Sequence, residues 1–186
     1  TLYRLVTSII SISQGLSGFP NLAINYIYKD DFGFQPDKVT RITNYVNIPS
    51  YLKVVWGLIS DSFPIFGYRR KPYLIIFTIL SIGSLLSLAF YHSVPAPTII
   101  FIVIFNLGTV FNNVIAEGLV VESSHLDVKK NVNKSASNVF LFFIIRSIGY
   151  LLTAFCSVAL LEVLDKKYIF IITILFPLLI FFAAYI

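Results

Sequence analysis

Gly57-Leu-Ile-Ser-Asp61-Ser-Phe-Pro-Ile-Phe-Gly67-Tyr-Arg69-Arg70-Lys71-Pro72 is a short, strongly basic run between two apolar stretches. Each flanking stretch is long enough to cross a bilayer, for which a helix needs ~20 apolar residues. The run holds an acid where the first stretch ends, a Gly-Tyr pair, and three consecutive cations. Charge of this density is costly in hydrocarbon, so the segment belongs at the membrane surface. A charged hinge between two spans suits a transporter better than an enzyme.

Outward from this run, six stretches are read as spans: Tyr3–Tyr28, Val39–Ile59, Tyr73–His92, Thr98–Val121, Ser135–Leu161 and Tyr168–Ile186. The sequence therefore predicts an all-α membrane protein. Its connections are short: Lys29–Asp37 as a polar turn, Val94-Pro-Ala-Pro97 as a rigid one, and Ser123–Lys134 as the longest, basic loop. Pro20 and Pro49 fall inside predicted spans, where each removes a backbone hydrogen bond and favours a kink. Gly15, Gly18, Gly83, Gly108 and Gly149 read as surfaces for close helix packing.

Composition agrees. Hydrophobic residues make up 57% of the chain and charged residues 12%; a soluble domain carries about 25% charge. Mean hydropathy is +0.84. The net charge of +5 is scattered over loops, which excludes a nucleic-acid surface. The lone Cys156 rules out an internal disulfide and a cysteine-rich metal site. The two histidines lie at or near opposite membrane faces, and no zinc, phosphate-loop or Ser/His/Asp pattern occurs; an enzyme and a cofactor are not expected. No cleavable signal is recognisable. The chain has no Met and runs out in apolar Phe181–Ile186, so it is read as residues 1–186 of a longer protein, one bundle of it.

Arg4, Arg69, Arg70, Lys71, Lys129, Lys130 and Lys134 lie on one side of this topology, against Lys29, Lys38, Arg41, Lys166 and Lys167 on the other. The tight Arg-Arg-Lys cluster decides the orientation and puts both basic loops and both chain ends in the cytoplasm. The sequon Asn133-Lys-Ser135 would then never meet the glycosylation machinery.

Three ionisable residues lie within the spans: Lys53, Glu117 and Arg146. Such groups usually face a bundle interior or an aqueous cavity. Helical spacing groups Asn106, Thr109, Asn113 and Glu117 on one face of the fourth span, with Glu122 rotated away near the membrane edge. Ser135, Arg146, Gly149, Tyr150, Thr153 and Ser157 form a polar and small-residue stripe on the fifth span. Thr7, Ser11, Gln14, Gly18, Asn21 and Asn25 lie on the first. Facing stripes would enclose a wet cavity near the midplane, where secondary transporters bind substrate. Glu117 and Arg146 could equally form a structural ion pair.

These residues carry a resemblance. Gln14-Gly15, Lys29-Asp-Asp-Phe-Gly-Phe34, Pro49-Ser-Tyr-Leu-Lys53-Val-Val-Trp-Gly57, Ile59-Ser-Asp61-Ser, Pro64-Ile-Phe-Gly-Tyr-Arg-Arg-Lys71 and Asn113-Val-Ile-Ala-Glu117-Gly-Leu-Val-Val-Glu122 resemble the folate–biopterin transporter family, a branch of the major facilitator superfamily. The resemblance implies twelve or more helices, of which these six are the amino-terminal bundle, packed against a carboxy-terminal bundle. It also implies uptake of folates or pterins, commonly with protons; similar proteins carry other metabolites, including S-adenosylmethionine. The family pattern has Asp where Asn113 and Glu117 stand here.

The reading of function follows. Arg146, with Lys53, attracts an anionic group of the substrate; Asn113 and Glu117 read a pterin edge, with Gln14 and Asn21 in the same cavity. Glu117 is the candidate proton carrier, because burial raises a carboxyl pKa. Asp61 with Arg69, Arg70 and Lys71 forms a gate at the cytoplasmic face. The alternative is a six-helix channel subunit or non-transporting scaffold, with the stripes lining a pore or subunit contact. The sequence names neither the plasma membrane nor an organelle membrane.

Overall fold

A computed structural model describes residues 2–65, 67, 70–91, 93–128 and 132–185. Within them lie helices α1 (Leu2–Leu16), α2 (Pro20–Tyr26), α3 (Pro36–Val46), α4 (Ile48–Tyr51), α5 (Lys53–Ser62), α6 (Lys71–Phe90), α7 (Pro95–Val128), α8 (Val132–Val163) and α9 (Lys166–Tyr185). One π turn, Ile27–Asp31, extends α2. Among the described residues, four helices are long and apolar enough to cross a membrane: α6, α7, α8 and α9. The chain is an integral, multi-pass helical membrane protein.

The first two predicted spans are not single helices. The first breaks over Ser17–Phe19, where three-residue turn bonds replace the helical ladder and Pro20 opens α2. The second breaks at Asn47 and again at Leu52, on either side of Pro49. Both breaks fall at the prolines the sequence marked, because a ring nitrogen cannot donate to the preceding turn. Pro177 lies inside α9 without ending it.

Two predicted turns are instead helix. Val94–Pro97 is the start of α7, since Pro95 suits the first helical position, where the missing N–H has no partner to lose. The loop read over Ser123–Lys134 is helical through Val128 and again from Val132; residues 129–131 lie outside the described set. Polar residues are compatible with a helix once it leaves hydrocarbon.

Packing places α7 at the centre, against α1, α5, α6 and α8, with α6 and α9 joined behind it and α1 set between α8 and α9. Phe111 of α7 anchors one core. Phe77 stacks on it with centroids 3.7 Å apart, and Trp56 and Tyr73 lie at 5.4 and 6.0 Å. Two crossings are close because glycine permits it. A Cβ on Gly15 would lie 2.5 Å from the Arg146 carbonyl oxygen and 2.7 Å from Gly149 Cα. One on Gly108 would lie 2.7 Å from the Phe77 carbonyl oxygen. Gly83, in contrast, faces open space, so it is no packing surface among the described residues.

Candidate functional site

The α1–α8 crossing sets the depth of Arg146, whose backbone carbonyl lies against Gly15. Thr153 Oγ1 donates to the Gly15 carbonyl at 3.0 Å and ties the two helices one turn farther on. From that fixed position the Arg146 guanidinium reaches α7 and donates to Glu117 Oε1 at 2.5 Å. The side chains are 17% and 33% exposed, so the pair is shielded without being sealed. Phe142 and Phe143 flank the guanidinium, with ring centroids 5.5 and 4.9 Å from Cζ. An aromatic face is a favourable seat for a cation that has lost part of its water. Among the described ion pairs this one alone joins residues within the long apolar spans.

Asn113 sits one turn before Glu117 on α7, nine-tenths buried, and its Oδ1 has no hydrogen-bond partner. Gln14 does not face this pair. It is buried between α1 and α7, where Nε2 donates to the Asn112 carbonyl at 3.2 Å and Oε1 is unpartnered. Asn112 in turn donates to Thr78 Oγ1 at 3.1 Å, so a chain of amides and hydroxyls runs from α1 through α7 to α6. Lys53, half-buried at the start of α5, makes no ion pair among the described residues and no described contact with Glu117 or Arg146.

A second charged cluster lies at the α5–α6 turn. Arg70 donates through Nε to Asp61 Oδ1 at 2.9 Å and through Nη1 to Glu122 Oε2 at 2.6 Å. One guanidinium thus holds the end of α5 against α7. Gly118 makes room, since a Cβ there would lie 3.3 Å from Arg70 Cζ. Gly67 turns the loop with φ +80°, a conformation that L side chains rarely adopt. Lys71 is exposed at the head of α6, and Arg69 lies outside the described residues. Glu122 was set aside by the sequence reading because it is rotated off the Glu117 face; that rotation is what brings it to Arg70.

At the other end of α7 the backbone break in α3–α4 meets an amide. Ser50 N–H donates to the Asn47 carbonyl at 2.9 Å, and the Val46 carbonyl accepts from Asn106 Nδ2 at 3.2 Å. Trp56 Nε1 donates to the Pro49 carbonyl at 2.8 Å and closes the second side of the break. Asn21, exposed on α2, lines a cavity of about 250 Å³ here, together with Asn25, Tyr28, Thr43, Asn47 and Asn106. Asn21 therefore belongs to this cavity and stands apart from the Glu117–Arg146 pair. A larger cavity, about 420 Å³, opens between α2 and the α8–α9 turn beside Asp30, Glu162, Asp165 and Lys166.

The structure thus unites Glu117 with Arg146 and Asp61 with Arg70, leaves Asn113 one turn from the first pair, and sets Lys53, Gln14 and Asn21 elsewhere. The BT1 family model matches residues 14–186. Folate transporter 1 of Plasmodium falciparum (isolate 3D7) is 36% identical over 183 residues, 98% of this chain and 36% of its own length. Folate transporter 2 of the same organism is 39% identical over 179 residues, 95% of this chain and 38% of its own. The Folate-biopterin transporter of Synechocystis sp. (strain ATCC 27184 / PCC 6803 / Kazusa) is 32% identical over 172 residues, 92% and 34% respectively. The chain spans a little over a third of the length of these relatives. No solved structure matches it significantly.

Proposed function

The chain belongs to the BT1 family, and we propose that it forms one six-helix bundle of a longer secondary transporter for folates, pterins or related small anions. In this reading α1 with α2 makes the first span, α3 to α5 the second, and α6 to α9 the remaining four. The outward side chains of α8, among them Leu151, Phe155 and Val158, would meet lipid or a carboxy-terminal bundle.

The observation that carries the proposal is the Arg146–Glu117 pair, set between two apolar helices and still partly open. A substrate carboxylate can compete with Glu117 for the guanidinium, which holds its charge and binds carboxylates in a fork geometry. Protonating Glu117 removes its claim on Arg146 and lets the anion take its place. One proton and one negative charge then move together, and the guanidinium is never left bare in a low-dielectric site. Lys53 adds positive charge on the α5 side, and the unpartnered Asn113 Oδ1 offers an acceptor one turn away. Arg70, bridging Asp61 and Glu122, acts as the gate: its bonds break when the bundles rock, and Lys71 and Arg69, its neighbours in sequence, add to the charge of the loop.

Uptake of tritiated folic acid by cells expressing the full-length protein, at acid and at neutral pH, tests this. Wild type should take up more at acid pH, Arg146→Ala should lose uptake, and Glu117→Gln should keep uptake while losing its pH dependence. A fully pH-dependent Glu117→Gln variant removes the carrier role. Absent uptake despite confirmed surface expression moves the substrate to another metabolite.

A further inference from the structure

The cavity at the α3–α4 break has a hydrogen-bonding edge whose polarity is fixed by the backbone. The Val46 carbonyl can only accept, so the group that Asn106 turns towards it must be its amide nitrogen. The same nitrogen also donates to Asn47 Oδ1 at 3.0 Å. Both Asn106 donors are then spent, and Asn47 must present its oxygen, because two amide nitrogens cannot face each other. What remains is one acceptor, Asn106 Oδ1, and one donor group, Asn47 Nδ2, neither bonded among the described residues. Two amides bonded in this way leave one acceptor and one donor on residues that line the same cavity. Free side chains would rotate to suit any ligand; here Asn106 cannot turn without releasing Val46, nor Asn47 without releasing Asn106.

Tyr28 supplies a second, independent observation. It lines the same cavity, is 1% exposed, and its hydroxyl has no hydrogen-bond partner. A buried hydroxyl without a partner is costly, and such groups in native proteins are normally satisfied by water or a ligand. Ile24, Val46, Ile102 and Phe105 complete the wall as apolar surface. Among the lining residues there is no charged side chain. At about 250 Å³ the cavity is smaller than the roughly 300–1,000 Å³ of sites for whole drug-sized ligands. It fits a compact ring.

We infer that Asn47 and Asn106 form a specificity site for a planar ring bearing a lactam edge, whose ring N–H donates to Asn106 Oδ1 and whose carbonyl accepts from Asn47 Nδ2. The inference rests on the pterin reading of the preceding subsection and deepens it. Asn106 lies roughly 16 Å from Glu117 along α7, at ~1.5 Å per residue. The ring of an extended folate would occupy the amide site while its carboxylates approach Arg146, with Asn113 and Glu117 free for the charged tail. Other lactam rings, such as oxidised purines, share this edge, and their lack of an anionic tail separates them.

The decisive probe is a pair of pteridine ligands that differ only at this edge. Replacing the ring carbonyl by an amino group turns its acceptor into a donor and the adjacent ring N–H into an acceptor. That analogue sets donor against donor and acceptor against acceptor. Sites built to hydrogen-bond a group reject analogues that leave it unpaired. Saturable binding of the oxo and amino compounds is measured on the purified full-length protein, wild type and Asn47→Asp. Asn47→Asp keeps an oxygen for Asn106 Nδ2 and exchanges the free donor for an acceptor. Wild type should favour the oxo ligand by about 10-fold or more, one hydrogen bond left unmade, and the variant should lose or reverse that ratio. A ratio near one in wild type, or one unchanged in Asn47→Asp, overturns the amide site while leaving the transport reading intact. Because the readout is a ratio within one protein, a loss of folded material cannot mimic it. Binding of neither pteridine overturns both readings, and equal competition by a tail-less lactam ring assigns the site to that ring instead of to folate.

Discussion

α7 and α8 are close to twins by sequence: 34 and 32 residues long, with span hydropathies of 2.1 and 2.0. Their surroundings differ sharply. α7 is the most buried of the four long spans and α8 the least. On α7, polar groups are spent in several directions: Asn106 on the α3–α4 break, Asn112 on Thr78 and Gln14, Glu117 on Arg146. On α8 the useful contacts fall in one stripe, Phe142, Arg146, Gly149, Thr153 and Ser157, while Ile148, Leu151, Leu152 and Phe155 turn outward. Equal hydropathy therefore hides two roles. α7 is a post that neighbours bond to from several sides, and α8 is a slat fastened along one edge.

If that is right, damage to α8 should be confined to its edge. Gly149→Leu drives a side chain into the Gly15 backbone, with no flexible neighbour to yield. The expected loss is about 3 kcal/mol or more, the upper end for overpacking, read as a lower unfolding midpoint in detergent. Leu152→Ala, on the outward side, should stay within about 0.5 kcal/mol. Equal losses would show that α8 is held all round, as α7 is. On α7 the expected effects are smaller but come from several directions. Thr78→Val preserves shape and strands Asn112 Nδ2, for an expected loss of about 1 kcal/mol. Arg70→Lys replaces a fork by a point charge that cannot reach Asp61 and Glu122 with the same geometry. Both acids are more than half exposed, so about 0.5 kcal/mol is expected. Faster proteolysis in the 62–70 turn would register it.

The sequence made this contrast only partly legible. The ends of α6 and α9 fall within about two residues of the predicted spans, since the hydropathy step is steep there, and the two prolines announced both breaks. Pairing of Glu117 with Arg146 was one of two open readings. The choice between Asn112 and Asn113 was not legible. Helical spacing shows that Asn113 shares a face with Glu117, but it does not show that α6 covers the neighbouring face, where Asn112 is bonded. Asn47 was invisible as a functional residue for a similar reason. Its amide matters only because Pro49 breaks the ladder beside it and α7 presents Asn106 across the gap. The helical ends of α7 and α8 beyond Glu122 and before Ser135 were read as loop because hydropathy marks where hydrocarbon stops, whereas helix can continue into water.

The smallest effect sharpens the contrast between spans and surface. Asp37 and Arg41 form an ion pair at 2.8 Å within the first turns of α3, with side chains 58% and 72% exposed. Its bond length is close to that of Glu117–Arg146, so geometry alone would rate the two pairs alike. Solvent separates them. Removing the cation with Arg41→Ala should cost about 0.3–0.5 kcal/mol, the usual worth of an exposed pair four residues apart. Asp37→Asn should cost slightly more, because Asp37 also faces the positive end of the α3 dipole. Both losses should vanish in 1 M salt, roughly, where the screening length falls to ~3 Å. Glu117→Gln strands a guanidinium only 17% exposed, and added salt should leave most of its cost in place. Thermal unfolding of the three variants at low and high salt reads this directly. If the Glu117→Gln penalty fades with salt as the Asp37 penalty does, the Arg146 pair is open to bulk water, and its role as a shielded exchange site for an anion fails with it.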